Sequence, residues 1–262
     1  MKKLTAILCF VLVLMTVSVA QAIPTFQTYI EGATAGSYNG DQDTWYGSGN
    51  SFTLDVVGAY GQNTQSLTGV TLLISVLQGE TGTITFSTLD EAPILLTIAG
   101  SNSAGTPPQT NPSSNADINI LTNVVGNNGY SITNFFPSGE TFNNHYPLQD
   151  NVSDFLLFNL SSFDNSESNL KDYNADNGII GSTTASGEQK EYLVSYTGFS
   201  QLHFDVYGLE EDQTGKKCIK TTWDWEINPG SHDSTTKVPE PSSLWLMGMG
   251  LIGLGFFARK NL

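Results

Sequence analysis

The chain has 262 residues, with 25 acidic side chains against 10 basic ones and a formal charge of −15. A balance that acidic repels phosphate backbones, which excludes nucleic acid as a partner. Only two cysteines are present, Cys9 and Cys218, too few for a disulfide framework.

The N-terminus places Lys2 and Lys3 before an apolar run at 4–19 and then Ala20-Gln21-Ala22. Charge, apolar run and small residues in that order form a secretory signal. The pattern predicts a signal helix over 1–22, cleavage by signal peptidase after Ala22, and a mature chain starting at Ile23. Cys9 then leaves with the signal. Cys218 is expected to be a buried thiol, although Lys216, Lys217 and Lys220 beside it leave reactivity open. Residues 23–237 keep 24 acidic and six basic side chains, a balance of −18, with no arginine. Self-repulsion of that size favours solubility.

Within 23–237 the apolar runs are short and rich in β-branched and aromatic residues. Residues 51–58 alternate, with Phe52, Leu54 and Val56 on one face and Thr53, Asp55 and Val57 on the other. Residues 69–77 and 82–89, separated by Gln78-Gly79-Glu80-Thr81, read as a hairpin. Further strands are expected at 93–99, 154–163, 191–197, 201–208 and 218–227. In the fourth of these, 201–208, Phe204 and Val206 share one face while His203, Asp205 and Tyr207 share the other. Residues 101–116 and 165–187 are polar and read as long loops. Residues 231–237 read as a polar linker. No segment sustains a 3.6-residue apolar period, so the fold class is all-β. It is most simply a jelly-roll-like β-sandwich with long loops. The domains are then 1–22, the signal peptide; 23–237, the extracellular sandwich; and 238–262, a C-terminal segment.

Few motifs carry chemistry. A Gly-x-Ser-x-Gly elbow and a His-Glu-x-x-His zinc motif are both absent from the sequence. His145, His203 and His232 are isolated, and His203 reads as an ordinary surface residue of a strand. A carboxylate pair for glycoside hydrolysis is conceivable from Asp205 with Asp224 or Glu226, yet close pairs arise by chance among so many acids. Asp172, Asn174 and Asp176 put oxygens at alternate positions of a loop that ends in Gly178. That suits calcium, but the spacing fails as an EF-hand, and turn formation explains the same residues. Asn39, Asp41 and Asp43 form a shorter alternation of the same kind. No other cofactor is called for. Tyr38, Trp45, Tyr46 and Tyr60 lie in Gly-rich surroundings and could stack on sugar rings, although core packing explains aromatics equally well. Trp223 and Trp225, at strand spacing, read as core. Asn151-Val-Ser153 and Asn159-Leu-Ser161 match the glycosylation acceptor pattern, which carries weight only in a eukaryotic secretory route.

The C-terminus closes the chain with Pro239-Glu240-Pro241, an apolar glycine-rich run, and then Arg259 and Lys260. Residues 242–258, at about 1.5 Å per residue, reach roughly 25 Å, close to a hydrocarbon core of ~30 Å. A transmembrane helix is expected, with Arg259 and Lys260 left in the cytoplasm. The three features in this order resemble the PEP-CTERM sorting signal. That resemblance implies recognition by an exosortase, a membrane-embedded cysteine transpeptidase or protease. It also implies a transient stay in the inner membrane and delivery to the cell surface or extracellular matrix.

A second resemblance is spread over the middle of the chain. It rests on 26–32 (Phe-Gln-Thr-Tyr-Ile-Glu-Gly), 43–45, 52–58, 146–150, 203–208 and 228–233. These segments resemble the choice-of-anchor N group, an extracellular domain joined to alternative anchors. The resemblance implies surface placement and supplies no catalytic residues. The expected function is therefore a non-catalytic surface or matrix protein associated with exopolysaccharide and biofilm. The alternatives are a carbohydrate-binding or calcium-dependent adhesion module and, behind both, an extracellular glycoside hydrolase.

Overall fold

The computed structural model describes residues 23–38, 42–77, 79–88, 94–98, 153–215 and 218–237. The signal segment, the loop at 101–116, Asn151 and Val152 of the first acceptor site, His145 and the C-terminal segment lie outside the described residues. Among the described residues no helix is long and apolar enough to cross a membrane. The structure is all-β, as the alternation predicts.

The strands are β1 (Phe26–Ile30), β2 (Thr34–Tyr38), β3 (Gln42–Ser48), β4 (Ser51–Tyr60), β5 (Thr64–Leu77), β6 (Gly82–Thr88), β7 (Ile94–Ile98) and β8 (Ser153–Phe163). After these come β9 (Glu167–Ser168), β10 (Lys171–Asn174), β11 (Ile179–Ser182), β12 (Ser186–Thr197), β13 (Gln201–Thr214), β14 (Lys220–Ile227) and β15 (Ser234–Lys237). A 3-10 turn at Gly230–His232 leads into β15. One sheet has the order β1-β4-β12-β6-β7, with β9 also on β12. The other has the order β2-β3-β15-β13-β5-β8, with β14 also on β13. Strands β10 and β11 form a separate hairpin.

The two sheets share one core. Phe26, Leu54 and Val56 face inward from the first sheet, and Leu72, Ile74, Phe158, Phe204 and Val206 from the second; all are fully buried. Each such side chain contributes about 1.5–3 kcal/mol by leaving water. Rings meet across the interface, Phe86 on Phe158 with centroids 5.0 Å apart and Phe52 on Phe204 at 5.8 Å. Gly208 permits a close approach. A Cβ there would lie 2.7 Å from Cζ of Phe26, so only a glycine lets the Phe26 ring rest on the facing strand.

Three sequence expectations are corrected. Residues 69–77 and 82–89 do not form a hairpin: β5 pairs with β8 and β13, whereas β6 pairs with β7 and β12. Both strands carry an apolar inner face, Leu72, Ile74 and Val76 in β5 and Ile84 and Phe86 in β6. Crossing between the sheets lets those faces bury one another, which side-by-side pairing would not. The expected loop at 165–187 contains β9, β10, β11 and the start of β12. The expected linker at 231–237 is the 3-10 turn followed by β15, a buried strand parallel to β3 and antiparallel to β13. Its polar residues survive burial because their hydroxyls are bonded. Ser234 Oγ donates to Thr28 Oγ1 (3.0 Å), and Thr236 Oγ1 donates to Tyr196 Oη (2.9 Å) while accepting from the Leu202 amide (3.0 Å).

Candidate functional site

The outer face of the second sheet carries a convergence of titratable groups. In β13, Phe204 and Val206 point into the core, so His203, Asp205 and Tyr207 point outward, as the alternation predicts. These outward residues are nevertheless buried, with His203 1% and Asp205 0% exposed. His203 is therefore not the surface residue expected from sequence. It occupies a central strand covered on both faces.

Strand pairing sets the position of Asp205. Residues 201–204 of β13 pair with β15, and residues 207–214 pair with β14. Asn228 fills the gap between them. Its side-chain Oδ1 accepts from the Val206 amide (2.6 Å), and its own amide donates to the Val206 carbonyl (3.0 Å). The Asn228 Nδ2 donates to Asp205 Oδ1 at 3.4 Å. Asp233, at the foot of β15, comes in from the 3-10 turn. His203 Nε2 lies 3.2 Å from Asp205 Oδ2 and 3.5 Å from Asp233 Oδ2. The opposite ring nitrogen, Nδ1, is hydrogen-bonded to Thr235 Oγ1 at 2.6 Å. One imidazole nitrogen and two carboxylate oxygens thus converge in a buried place.

The outer face of the first sheet is covered by the β10–β11 hairpin. Tyr173 stacks on Tyr29 with centroids 4.3 Å apart, and Trp45 meets Tyr29 edge-on at 5.1 Å. The Tyr173 hydroxyl donates to Asp55 Oδ2 (2.9 Å), its amide donates to Gln27 Oε1 (2.7 Å), and its carbonyl accepts from Trp45 Nε1 (2.8 Å). Gln27 thereby acts as a side-chain substitute for a neighbouring strand. Burial pushes the Asp55 carboxyl up to about 6, against the Tyr173 hydrogen bond, which lowers it.

Beside this hairpin, Ser231 Oγ and Asp172 Oδ1 flank His232, at 2.9 Å from Nδ1 and 3.0 Å from Nε2. Burial holds the imidazole below its ordinary pKa, opposed by the bond to Asp172. The ring ties β10 to the 3-10 turn. Ser231 precedes His232 in sequence and reaches the ring through the turn itself, so the contact orients the imidazole locally.

The residues singled out by sequence fall as follows. Asp172 is engaged by His232, Asn174 Oδ1 accepts from the Asp176 amide (2.9 Å), and Asp176 is exposed. The neighbouring Asn177 makes the same kind of turn bond to Ile179 (2.9 Å). Asp43 lies half-buried in β3, whereas Asn39 and Asp41 lie outside the described residues. Asp205 shares a face of the β13–β14 ribbon with Leu209 and Trp225, whereas Asp224 and Glu226 pair with Glu210 and Gly208 on the opposite face. The sheet therefore separates the carboxylates considered for glycoside hydrolysis. Asn159 Oδ1 accepts from the Ser161 amide (2.8 Å).

Of the aromatics, Trp45 follows the core-packing alternative, and Trp223 departs from the expected core. Trp45 is 3% exposed and belongs to the core, whereas Trp223 is 52% exposed. Trp225, half-buried, shares the outward face of β14 with Trp223 and lies near Tyr207, with centroids 6.2 Å apart. Tyr60 is half-buried and donates to the Phe163 carbonyl (2.7 Å). Cys218 is exposed in the turn before β14 rather than buried. The sequence held one signal for the buried cluster, the His203-x-Asp205 alternation. Asp233 escaped notice because its surroundings read as a linker.

Comparison with known families supplies the remaining component. Residues 237–260 match the PEP-CTERM protein-sorting motif. Comparison with curated proteins gives no match. The motif includes Pro239, Glu240, Pro241, Arg259 and Lys260. It marks an extracellular protein sorted by an exosortase, exported with a transient stay in the membrane. It begins at Lys237, the last residue of β15.

Proposed function

We propose that the sandwich is a non-catalytic surface or matrix domain, delivered by exosortase sorting and held among exopolysaccharide in a biofilm. The sorting motif at 237–260 carries this reading. The arginine-free acidic domain supports it, since a strongly charged sandwich stays soluble in a dense matrix. So does the resemblance of 26–32, 52–58 and 203–208 to the choice-of-anchor N group. Surface and matrix fractions of the producing cell provide the test. Glu240→Ala should leave the chain uncut in the membrane fraction, and a strain lacking its exopolysaccharide should shed the wild-type chain into the medium. Retention in the polymer-free strain would remove the matrix role. Turnover of glycan, ester or peptide substrates by the purified chain would remove the non-catalytic one.

A second reading, carbohydrate binding, draws on Trp223 and Trp225. Two residues apart on one strand face, their Cα atoms stand about 7 Å apart. Exposed tryptophan faces suit stacking on sugar rings. A glycan panel with wild type and Trp223→Ala decides it. Binding that the variant loses supports the reading, and no binding by the wild type ends it.

A further inference from the structure

We infer that His203, Asp205 and Asp233 hold a divalent transition-metal ion of the zinc class, with Ser75 completing the oxygen supply. His203, Asp205 and Asp233 each present a ligand atom, and these atoms lie within 4.8 Å of one another. All three side chains are buried.

The distances favour a shared ion over a simple ion pair. Charge-assisted N–H···O bonds are typically about 2.7–2.9 Å long. The two carboxylate oxygens lie 3.2 and 3.5 Å from the same Nε2. A single N–H cannot aim at both. Zinc bonds to imidazole nitrogen and carboxylate oxygen measure about 2.0–2.1 Å, so the edge of a zinc tetrahedron is ~3.3–3.4 Å. The observed separations bracket that edge.

Charge points the same way. Two buried carboxylates so close repel. A divalent cation balances both, with the imidazole neutral. The surrounding bonds match what metal ligands require. Thr235 holds the far nitrogen of His203, and Asn228 holds the far oxygen of Asp205, which orients both ligand atoms toward a common point.

An independent observation comes from the next strand. Ser75 of β5 is the direct cross-strand partner of His203, so its side chain stands on the same face. It is 1% exposed, and its Oγ has no hydrogen-bond partner among the described residues. A buried hydroxyl without a partner is costly, and an ion beside it removes that cost. The donor set of one nitrogen and several oxygens suits zinc or a related transition metal better than calcium, which takes oxygen alone. Three strands contribute, β13, β5 and the foot of β15. The ion would therefore rivet to the sheet the strand from which the sorting segment departs, a structural role suited to a buried site.

The test is a zinc and cobalt(II) titration of the purified exported chain, stripped with EDTA. The wild type should retain one zinc per chain after dialysis. Its Tm should rise by ~5–10 °C at a hundredfold excess over Kd, reversibly with EDTA. Cobalt should give the intense visible bands of a low-coordinate site. Asp233→Asn should weaken zinc at least ~10-fold, Ser75→Ala should weaken it less, and Asp176→Asn, in the exposed turn of the β10–β11 hairpin, should change nothing. Equal zinc retention by wild type and Asp233→Asn would overturn the site, and so would calcium stabilising the chain as strongly as zinc. If Asp233→Asn fails to fold, the wild-type cobalt spectrum decides alone, and its absence overturns the assignment.

Discussion

The outer face of the first sheet is closed by the β10–β11 hairpin, where Tyr173 stacks on Tyr29 and every polar atom of its backbone and side chain named above has a partner. The outer face of the second sheet is graded. It runs from His203 at 1% exposed, through Tyr207 at 6%, to Trp223 at 52%. The residue types are similar on both faces, yet one is finished within the chain and the other ends in open tryptophan. Tyr, Trp and Asp can be buried on a sheet only where hydrogen-bond partners arrive with them. On the first face Gln27, Asp55 and Trp45 bring those partners to Tyr173. The free end of the second face has a ring whose apolar area is left for solvent or a ligand.

Removing the centre of the closed face should have the largest effect. Tyr173→Ala deletes the stack on Tyr29 and strips Asp55 of its donor, and should cost ~3–5 kcal/mol in urea unfolding. Trp45→Phe keeps most of the packing but leaves the Tyr173 carbonyl without its donor, and a loss of ~1–3 kcal/mol is expected from the same measurement.

Asp55→Asn sharpens the comparison through pH. An unfolded aspartate titrates at about 3.9, whereas burial raises the folded Asp55 to about 6. Between these values the folded state holds a proton that the unfolded state has released. Stability from this group is therefore full below about pH 4 and is lost as pH rises through about 6. The Asn variant removes that slope. The stability of wild type relative to variant should fall between pH 4 and pH 6 and stay level above, as read by urea melts in steps of pH. A difference flat across that range would refute the buried, protonated Asp55.

The smallest effect belongs to the open face. Trp223→Ala should change stability by no more than ~0.5 kcal/mol, since the ring is half in water already. A larger loss would mean that the second face is as closed as the first.

The strands with clean alternation were legible in sequence. Residues 51–58, 82–89, 154–163 and 201–208 lie within or nearly within β4, β6, β8 and β13, because a period of two follows directly from the pleat. The β10–β11 hairpin and β15 were not legible. Their sequences, Lys171–Asn174 and Ser234–Lys237, are polar, and polar runs resemble loops until their partners are known. The candidate site was half visible for the same reason. His203 and Asp205 share a strand face by spacing, but nothing local brings in Asp233 or Ser75.

Sequence alone determined the all-β class, the acidic and arginine-free character, and the PEP-CTERM segment at 237–260, since each is written in composition, local periodicity or contiguous order. Tertiary structure decided which sheet each strand joined, that β5 and β6 part company, that Trp45 is core while Trp223 is open, and that His203 meets Asp205 and Asp233. Those outcomes depend on contacts between residues far apart in the chain. Such contacts form only where the faces, the hydrogen bonds and the buried charges of several strands are satisfied together.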